Sequence, residues 1–254
     1  RIEQGIAQPR HLDPAALETP SLALANAVRE TLRIGDLVES MLARLLEVLQ
    51  SEHPQAAEEI RRLDDDVDAL YSGVKLYLAR MPREDLADQE SRRWAEIIEL
   101  AINLEHAGDI IEHMLGKVQT LKKTRRMSFS ESGLEELGQL HALLSANLSL
   151  GLSVFLSGDP HSARRLLRQK RDFRQREREL AHAHVHRLHQ QVLESIETSA
   201  AHLELIADMK RLNSLFCSPA YAALEGKAAT RERLPSEPAA TLLPAERHLP
   251  GRPV

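Results

Sequence analysis

From residue 21 onward, apolar side chains recur at three- and four-residue steps with polar and charged residues between them. Leu37, Met41, Leu45 and Leu49 form one such series, and Ile97, Ala101, Leu104, Ile111 and Leu115 another. This period puts one apolar stripe on each segment and predicts amphipathic helices that must pack on one another. Between Pro20 and Pro219 the only prolines are Pro54, Pro82 and Pro160, each beside a helix-like segment. A proline in a first helical turn loses no intrahelical hydrogen bond, so these residues read as punctuation. Asp159-Pro160 is an N-cap followed by a first-turn proline, and His53-Pro54 holds the corresponding place one repeat earlier. The helices expected are 21–50, 54–79 and 84–123, then 131–156, 160–188 and 191–216. The boundary between the last two rests on parity with the first half, because 186–198 contains neither Gly nor Pro.

The chain also repeats itself. Residues 33–42, with Gly35-Asp36 at their centre, return as 106–115 around Gly108-Asp109, and 203–209 repeats 104–110. In a second register Ala57 matches Ala163, Ile60 matches Leu166, Asp66 matches Asp172 and Val67 matches Phe173. Self-similarity at long spacing means one structural unit used more than once. Three helices per unit joined by short loops make antiparallel neighbours, so the expected fold is all-α, a pair of tandem three-helix bundles with six helices and a pseudo-repeat. The boundaries that follow are 1–20 as a leader or linker, 21–124 as repeat 1, 130–217 as repeat 2 and 226–254 as a disordered Pro-rich tail.

Composition narrows the class. Among 254 residues, aromatics make up only 3 %, which agrees with an all-helical chain, and a formal net charge of −5 offers no global basic field for nucleic acid. The single cysteine, Cys217, excludes an internal disulfide and agrees with a reducing compartment. The longest apolar patch, 143–156, is broken by Ser145, Asn147, Ser149, Gly151 and Ser153, so it reads as a core helix and the chain is expected to be soluble by itself. A start at Arg1 without methionine suggests a piece of a longer polypeptide or a processed end.

Candidate chemistry lies in the repeat. Glu105 and Asp109, like Glu204 and Asp208, are four residues apart, which puts both carboxylates on one helix face, one turn apart. Such a pair needs compensation, by an all-oxygen site for Mg²⁺, Mn²⁺ or iron, or by solvent or pairing with an arginine such as Arg33. Gly35 and Gly108 cost helix stability, and their recurrence beside the same aspartate points to close approach of another helix or a ligand.

The tandem architecture with Glu-x-x-x-Asp in the third helix of each repeat resembles the PhoU family of phosphate-signalling proteins. Pro9-Arg10-His11-Leu12-Asp13 leading into Ser21-Leu22-Ala23, then Arg29-Glu30 and Arg33-Ile34-Gly35-Asp36, looks like the start of the cytosolic domain that follows the membrane region of bacterial sodium/phosphate cotransporters. His202-Leu203-Glu204, Asp208-Met209-Lys210-Arg211-Leu212-Asn213-Ser214 and Ser218-Pro219-Ala220-Tyr221 look like that domain's ending. The resemblance implies a regulatory module and not an enzyme: a PhoU-like domain of a sodium-dependent phosphate transporter, at the cytoplasmic face of the inner membrane. Its implied partners are an upstream transmembrane transporter domain, a second copy in a homodimer and an anionic membrane surface, with no nucleic acid. It implies a divalent metal (Mg, Mn, Fe or Zn) and nominates Glu105, Asp109, Glu204 and Asp208, with Asp36 as a first-helix partner.

Other features have plainer readings. Of His182, His184, His186 and His189, the first, third and fourth share a helical face that arginines mark as exposed, so a metal tract there is disfavoured. Arg164, Arg165, Arg168, Lys170, Arg171, Arg174, Arg176 and Arg178 outnumber Asp172, Glu177 and Glu179; a solvated face comes first, anionic lipid second, and nucleic acid third for want of aromatic stacking. Trp94 and Cys217 read as packing. No Gly-rich phosphate loop, H-E-x-x-H or G-x-S-x-G occurs. Competing functions are a free-standing PhoU-type phosphate-signalling adaptor and a di-metal carboxylate enzyme in a helical bundle. The latter requires Glu-x-x-His on two helices, and the chain offers only Glu179-x-x-His182.

Overall fold

The structure, a computed structural model, describes residues 6–51, 53–82, 84, 86–124, 129–188 and 194–232, with side chains described for all of these except 123–124, 183–188, 194–197 and 226–232. Among the described residues the chain is helical and has no strand. The helices are α1 (Pro20–Gln50), α2 (Pro54–Ala79), α3 (Asp88–Gln119), α4 (Glu131–Ser157), α5 (Pro160–Leu188), α6 (Glu194–Phe216) and α7 (Pro219–Glu232).

Local chemistry sets most of the boundaries. Pro20 and Pro54 open α1 and α2. Ser130 accepts the Gly133 N–H at the start of α4, and the Asp159 carboxylate accepts from Ser162 and His161 at the start of α5. Gly158 ends α4 in the left-handed region, at φ 61°, where a residue without Cβ is favoured. Helix α3 starts four residues later than its expected beginning at 84, because the Glu90 carboxylate folds back onto the Ala87 N–H at 3.0 Å. Beyond Gln119 the chain loosens into a π turn, Thr120–Thr124, from which Lys122 donates to the carbonyls of Val48, Leu49 and Ser51 and so caps the end of α1.

Helices α1 to α3 pack as one bundle and α4 to α6 as the second, with α1 against α4 and α3 against α6 joining them. One continuous core runs through both, from Ile34, Met41, Leu70, Ile97 and Leu104 to Leu144, Phe173, Leu205, Met209 and Phe216. The α1–α4 seam explains Gly35: a Cβ there would lie 2.7 Å from a methyl of Leu152, so the glycine admits α4 at close range. His141 on α4 donates its Nε2–H to the Leu42 carbonyl across the same seam at 2.7 Å. Burial lowers the His141 pKa despite that bond, so the ring is neutral near pH 7.

Two segments add to the six expected helices. Helix α7 has no counterpart among the six expected helices; Pro219 opens it, and Ala220 packs with Cys217, Val154, Ala163 and Leu166 in a satellite cluster. Its backbone runs to Glu232, so the first part of the expected tail is helical, while 233–254 lies outside the described residues. The leader, from residue 6, is docked on α1 and α2. The buried Glu30 carboxylate accepts the N–H groups of Arg10 and His11 at 3.0 and 2.8 Å, and Asp66 accepts that of Ala7 at 2.7 Å. The Tyr77 hydroxyl donates to the Asp13 carbonyl at 2.8 Å. By length and composition α4 could cross a membrane, yet Leu137, Leu140, Leu144 and Leu148 are buried in the common core, in keeping with its reading as a core helix.

Candidate functional site

The first acidic pair lies on α3, where Glu105 is half-buried and Asp109 exposed. Helix α2 brings Asp64, Asp65 and Asp68 alongside, and Glu112 extends the α3 face. Gly108 makes this approach close, since a Cβ there would meet Asp64 Oδ1 at 2.8 Å. That oxygen is buried and has no hydrogen-bond partner among the described residues. Burial first, then the charges of Glu112, Asp68, Asp109 and Asp65, push the Asp64 carboxyl up to about 7. Burial and neighbouring carboxylates raise Asp68 and Glu105 as well, although His106 and Lys75 partly offset the effect at Glu105. This is a face with surplus negative charge and too little cation beside it.

The second pair is built differently. Asp208 on α6 is only 2 % exposed, and its Oδ2 accepts from Lys117 Nζ of α3 at 2.9 Å. Glu204 Oε2 lies 3.2 Å from the same ammonium, and Arg211 approaches Asp208 Oδ1 at 3.5 Å. Burial lowers the Lys117 pKa, but hydrogen bonds and charge from Asp208 and Glu204 outweigh it, so the ammonium is held above its ordinary value. Beside it an open groove of about 850 Å³ runs between α3 and α6, with Asp109, Glu112 and His113 on one wall and Ala200, Ala201 and Glu204 on the other.

The nominated residues therefore do not form one centre. Asp109 and Glu204 face each other across the groove, Glu105 turns toward α2, and Asp208 is engaged with Lys117. Asp36 is exposed on α1 with Leu32 one turn before it, so it gains no carboxylate partner from its own helix. Among the described residues no group of three or more His, Cys, Asp or Glu side chains is placed to hold a metal ion. The α2–α3 face presents carboxylate donors with the Asp64 oxygen unpartnered, whereas Glu204 and Asp208 already carry an ammonium.

Sequence reasoning missed Lys117 and the α2 aspartates. The signal for the latter was present, because Asp64-x-x-x-Asp68 has the same spacing as Glu105-x-x-x-Asp109. Asn147, buried on α4, donates to Asn213 Oδ1 at 2.7 Å and so makes a neutral amide pair. Burial pushes the Cys217 thiol up to about 12, in keeping with a packing role. Trp94 donates its indole N–H to the Leu78 carbonyl at 3.1 Å. Arg164, Arg165, Arg168, Arg171, Arg174 and Arg178 are exposed along α5, while Glu177 is buried and pairs with Lys210. Of the histidine run only His182 has a described side chain, which is exposed; those of His184 and His186, and all of His189, lie outside the described residues.

The fold is similar to that of the PhoU helical bundles. Residues 31–118 match the PhoU domain family. The crystal structure of PhoU from Pseudomonas aeruginosa superposes with a TM-score of 0.74 at 17 % identity, covering 82 % of this chain and 98 % of that one. The phosphate transport system regulatory protein PhoU from Streptococcus pneumoniae gives 0.73 at 20 % identity, covering 83 % and 98 %. In sequence, the chain is 56 % identical over 218 residues to a protein of Escherichia coli K12 named "Putative inorganic phosphate export protein YjbB", and 56 % identical over 226 residues to the protein of that name in Salmonella typhimurium. These matches cover 86 % and 89 % of this chain, which spans only about two fifths of either relative, 40 % and 41 %.

Proposed function

We propose that the chain is a PhoU-type regulatory unit acting on the movement of inorganic phosphate, and that it performs no catalysis itself. The observation that carries this reading is the joint occurrence of the PhoU-like fold, the PhoU domain match and 56 % identity to a protein named for phosphate export. The relatives' name concerns export, which favours efflux as the direction of transport; sodium coupling gains nothing from it.

The free-standing, adaptor-like arrangement is supported by the solved PhoU chains, which this fold covers to 98 % of their length. A tethered arrangement, on the cytoplasmic side of a transporter, is favoured by the greater length of the YjbB relatives. Co-purification of the gene product with membranes, followed by a high-salt and alkaline wash, separates the two: a tethered unit stays and an adaptor is released. On the same reading, the α2–α3 face takes a divalent cation through Asp64, Asp68, Glu105 and Asp109, which would supply the positive charge that face lacks. The exposed arginines of α5 face anionic lipid. Co-sedimentation with phosphatidylglycerol vesicles that vanishes on R168E/R171E supports that contact, and unchanged binding removes it.

A further inference from the structure

We infer that the second acidic motif of this chain is closed from within: the Lys117 ammonium is its cation, so Glu204 and Asp208 latch α3 to α6 and take up no divalent ion. The inference rests on the metal reading of the α2–α3 face only for its contrast between the two motifs; the latch itself stands on geometry. Lys117 Nζ is within hydrogen-bond distance of both carboxylates, 2.9 Å from Asp208 and 3.2 Å from Glu204. Asp208 is buried, and its other oxygen faces Arg211. A carboxylate withdrawn from water in this way needs a held partner, and an ammonium with directed donors supplies one. A divalent ion entering here would have to evict Lys117 and leave that charge half-buried without its acceptors.

The repeat shows why only one motif is closed. In the register that equates Glu105 with Glu204 and Asp109 with Asp208, Lys117 corresponds to Phe216, which is buried in the core. Repeat 2 therefore has no lysine to return to Glu105 and Asp109, and the α2–α3 face keeps its uncompensated charge, with Asp64 Oδ1 unpartnered. Lysine at one of these corresponding positions and phenylalanine at the other leave one motif open and make the other a tie between the bundles. The tie crosses the same groove that Asp109 and Glu204 line, so it fixes the spacing of α3 and α6 there.

Thermal melting of the whole chain with and without millimolar MnCl2 tests this. D109N breaks the first of the two repeated motifs and leaves the closed one intact, and Mn²⁺ is expected to leave the melting temperature unchanged. K117M/D109N should melt lower without metal and regain a Mn²⁺-dependent rise of about 5 °C. That rise should disappear in K117M/D109N/D208N, while K117R/D109N should stay silent. A Mn²⁺ response in D109N that is lost on adding D208N would overturn the latch, and so would K117M/D109N showing no rise. K117Q/D109N decides the same question if the methionine variant does not fold. A wild-type chain indifferent to Mn²⁺ counts against the α2–α3 metal reading alone, and the K117M/D109N comparison still judges the latch.

Discussion

Replacing Asp64 by asparagine probes the charge crowding on the α2–α3 face directly. The folded carboxyl titrates at about 7 and an ordinary aspartate at 3.8, a gap of about three pH units. The folded state therefore holds this proton more tightly than the unfolded state, so the contribution to stability is present below the unfolded pKa and is lost as pH rises through the folded one. At ~1.4 kcal/mol per unit the gap has an upper bound of ~4 kcal/mol. Because the side chain is only partly buried, solvent screening reduces this to ~2 kcal/mol. In D64N the titration is gone. Urea unfolding of wild type and D64N at pH 4.5 and pH 8, with slopes held common, gives the stability difference at each pH. That difference should move in favour of D64N by ~2 kcal/mol between the two conditions. A difference independent of pH would show that Asp64 is ionised and solvated like any surface aspartate, and the account of the face would fail with it.

Other perturbations test the frame around the site. Gly151→Ala puts a Cβ 2.2 Å from the Phe216 carbonyl oxygen; it should cost about 1–3 kcal/mol in urea unfolding despite alanine's better helix propensity, and a stabilised variant would mean that α4 and α6 are not in that contact. Glu30→Ala removes the acceptor of the Arg10 and His11 N–H groups and the partner of Arg33. It should lower stability by about 2–3 kcal/mol and expose the leader to limited proteolysis before residue 14; an unchanged digestion pattern would contradict the docked leader. Phe173→Ala, fully buried in the second bundle, should cost about 3–5 kcal/mol. If it unfolds repeat 2 alone, with repeat 1 still melting cooperatively, the continuous core between the bundles is wrong.

Much of the fold was legible because period and punctuation carry it. Met41, Leu45 and Leu49 of the stripe are buried as expected and Leu37 is partly buried against the core, and Pro54 and Pro160 open helices where a first-turn proline should. Glycine was legible for the same reason: Gly35 and Gly108 both sit at close approaches, one to Leu152 of α4 and one to Asp64 of α2. Helix α7 lies across and beyond the family-like ending at Tyr221, and its one sequence signal is Pro219 followed by alanines, a helix start. The site was less legible. Spacing along one helix says that Glu204 and Asp208 share a face, but not that Lys117 from another bundle meets them. Likewise the acidic run of Asp64, Asp65 and Asp68 is visible in α2, but the packing that buries Asp64 beside Glu112 and Asp109 of α3 is not. The docked leader depends on Glu30 and Asp66 being buried within helices whose sequence marks such residues as surface.

The central claim, that this chain regulates phosphate movement, is tested most directly by radiolabelled phosphate flux in cells carrying the gene product intact or lacking residues 21–217, at matched expression. The account predicts that phosphate efflux changes in rate when the region is removed, and that the intact product with E105Q/D109N moves in the same direction. Identical efflux from intact and truncated products would contradict it.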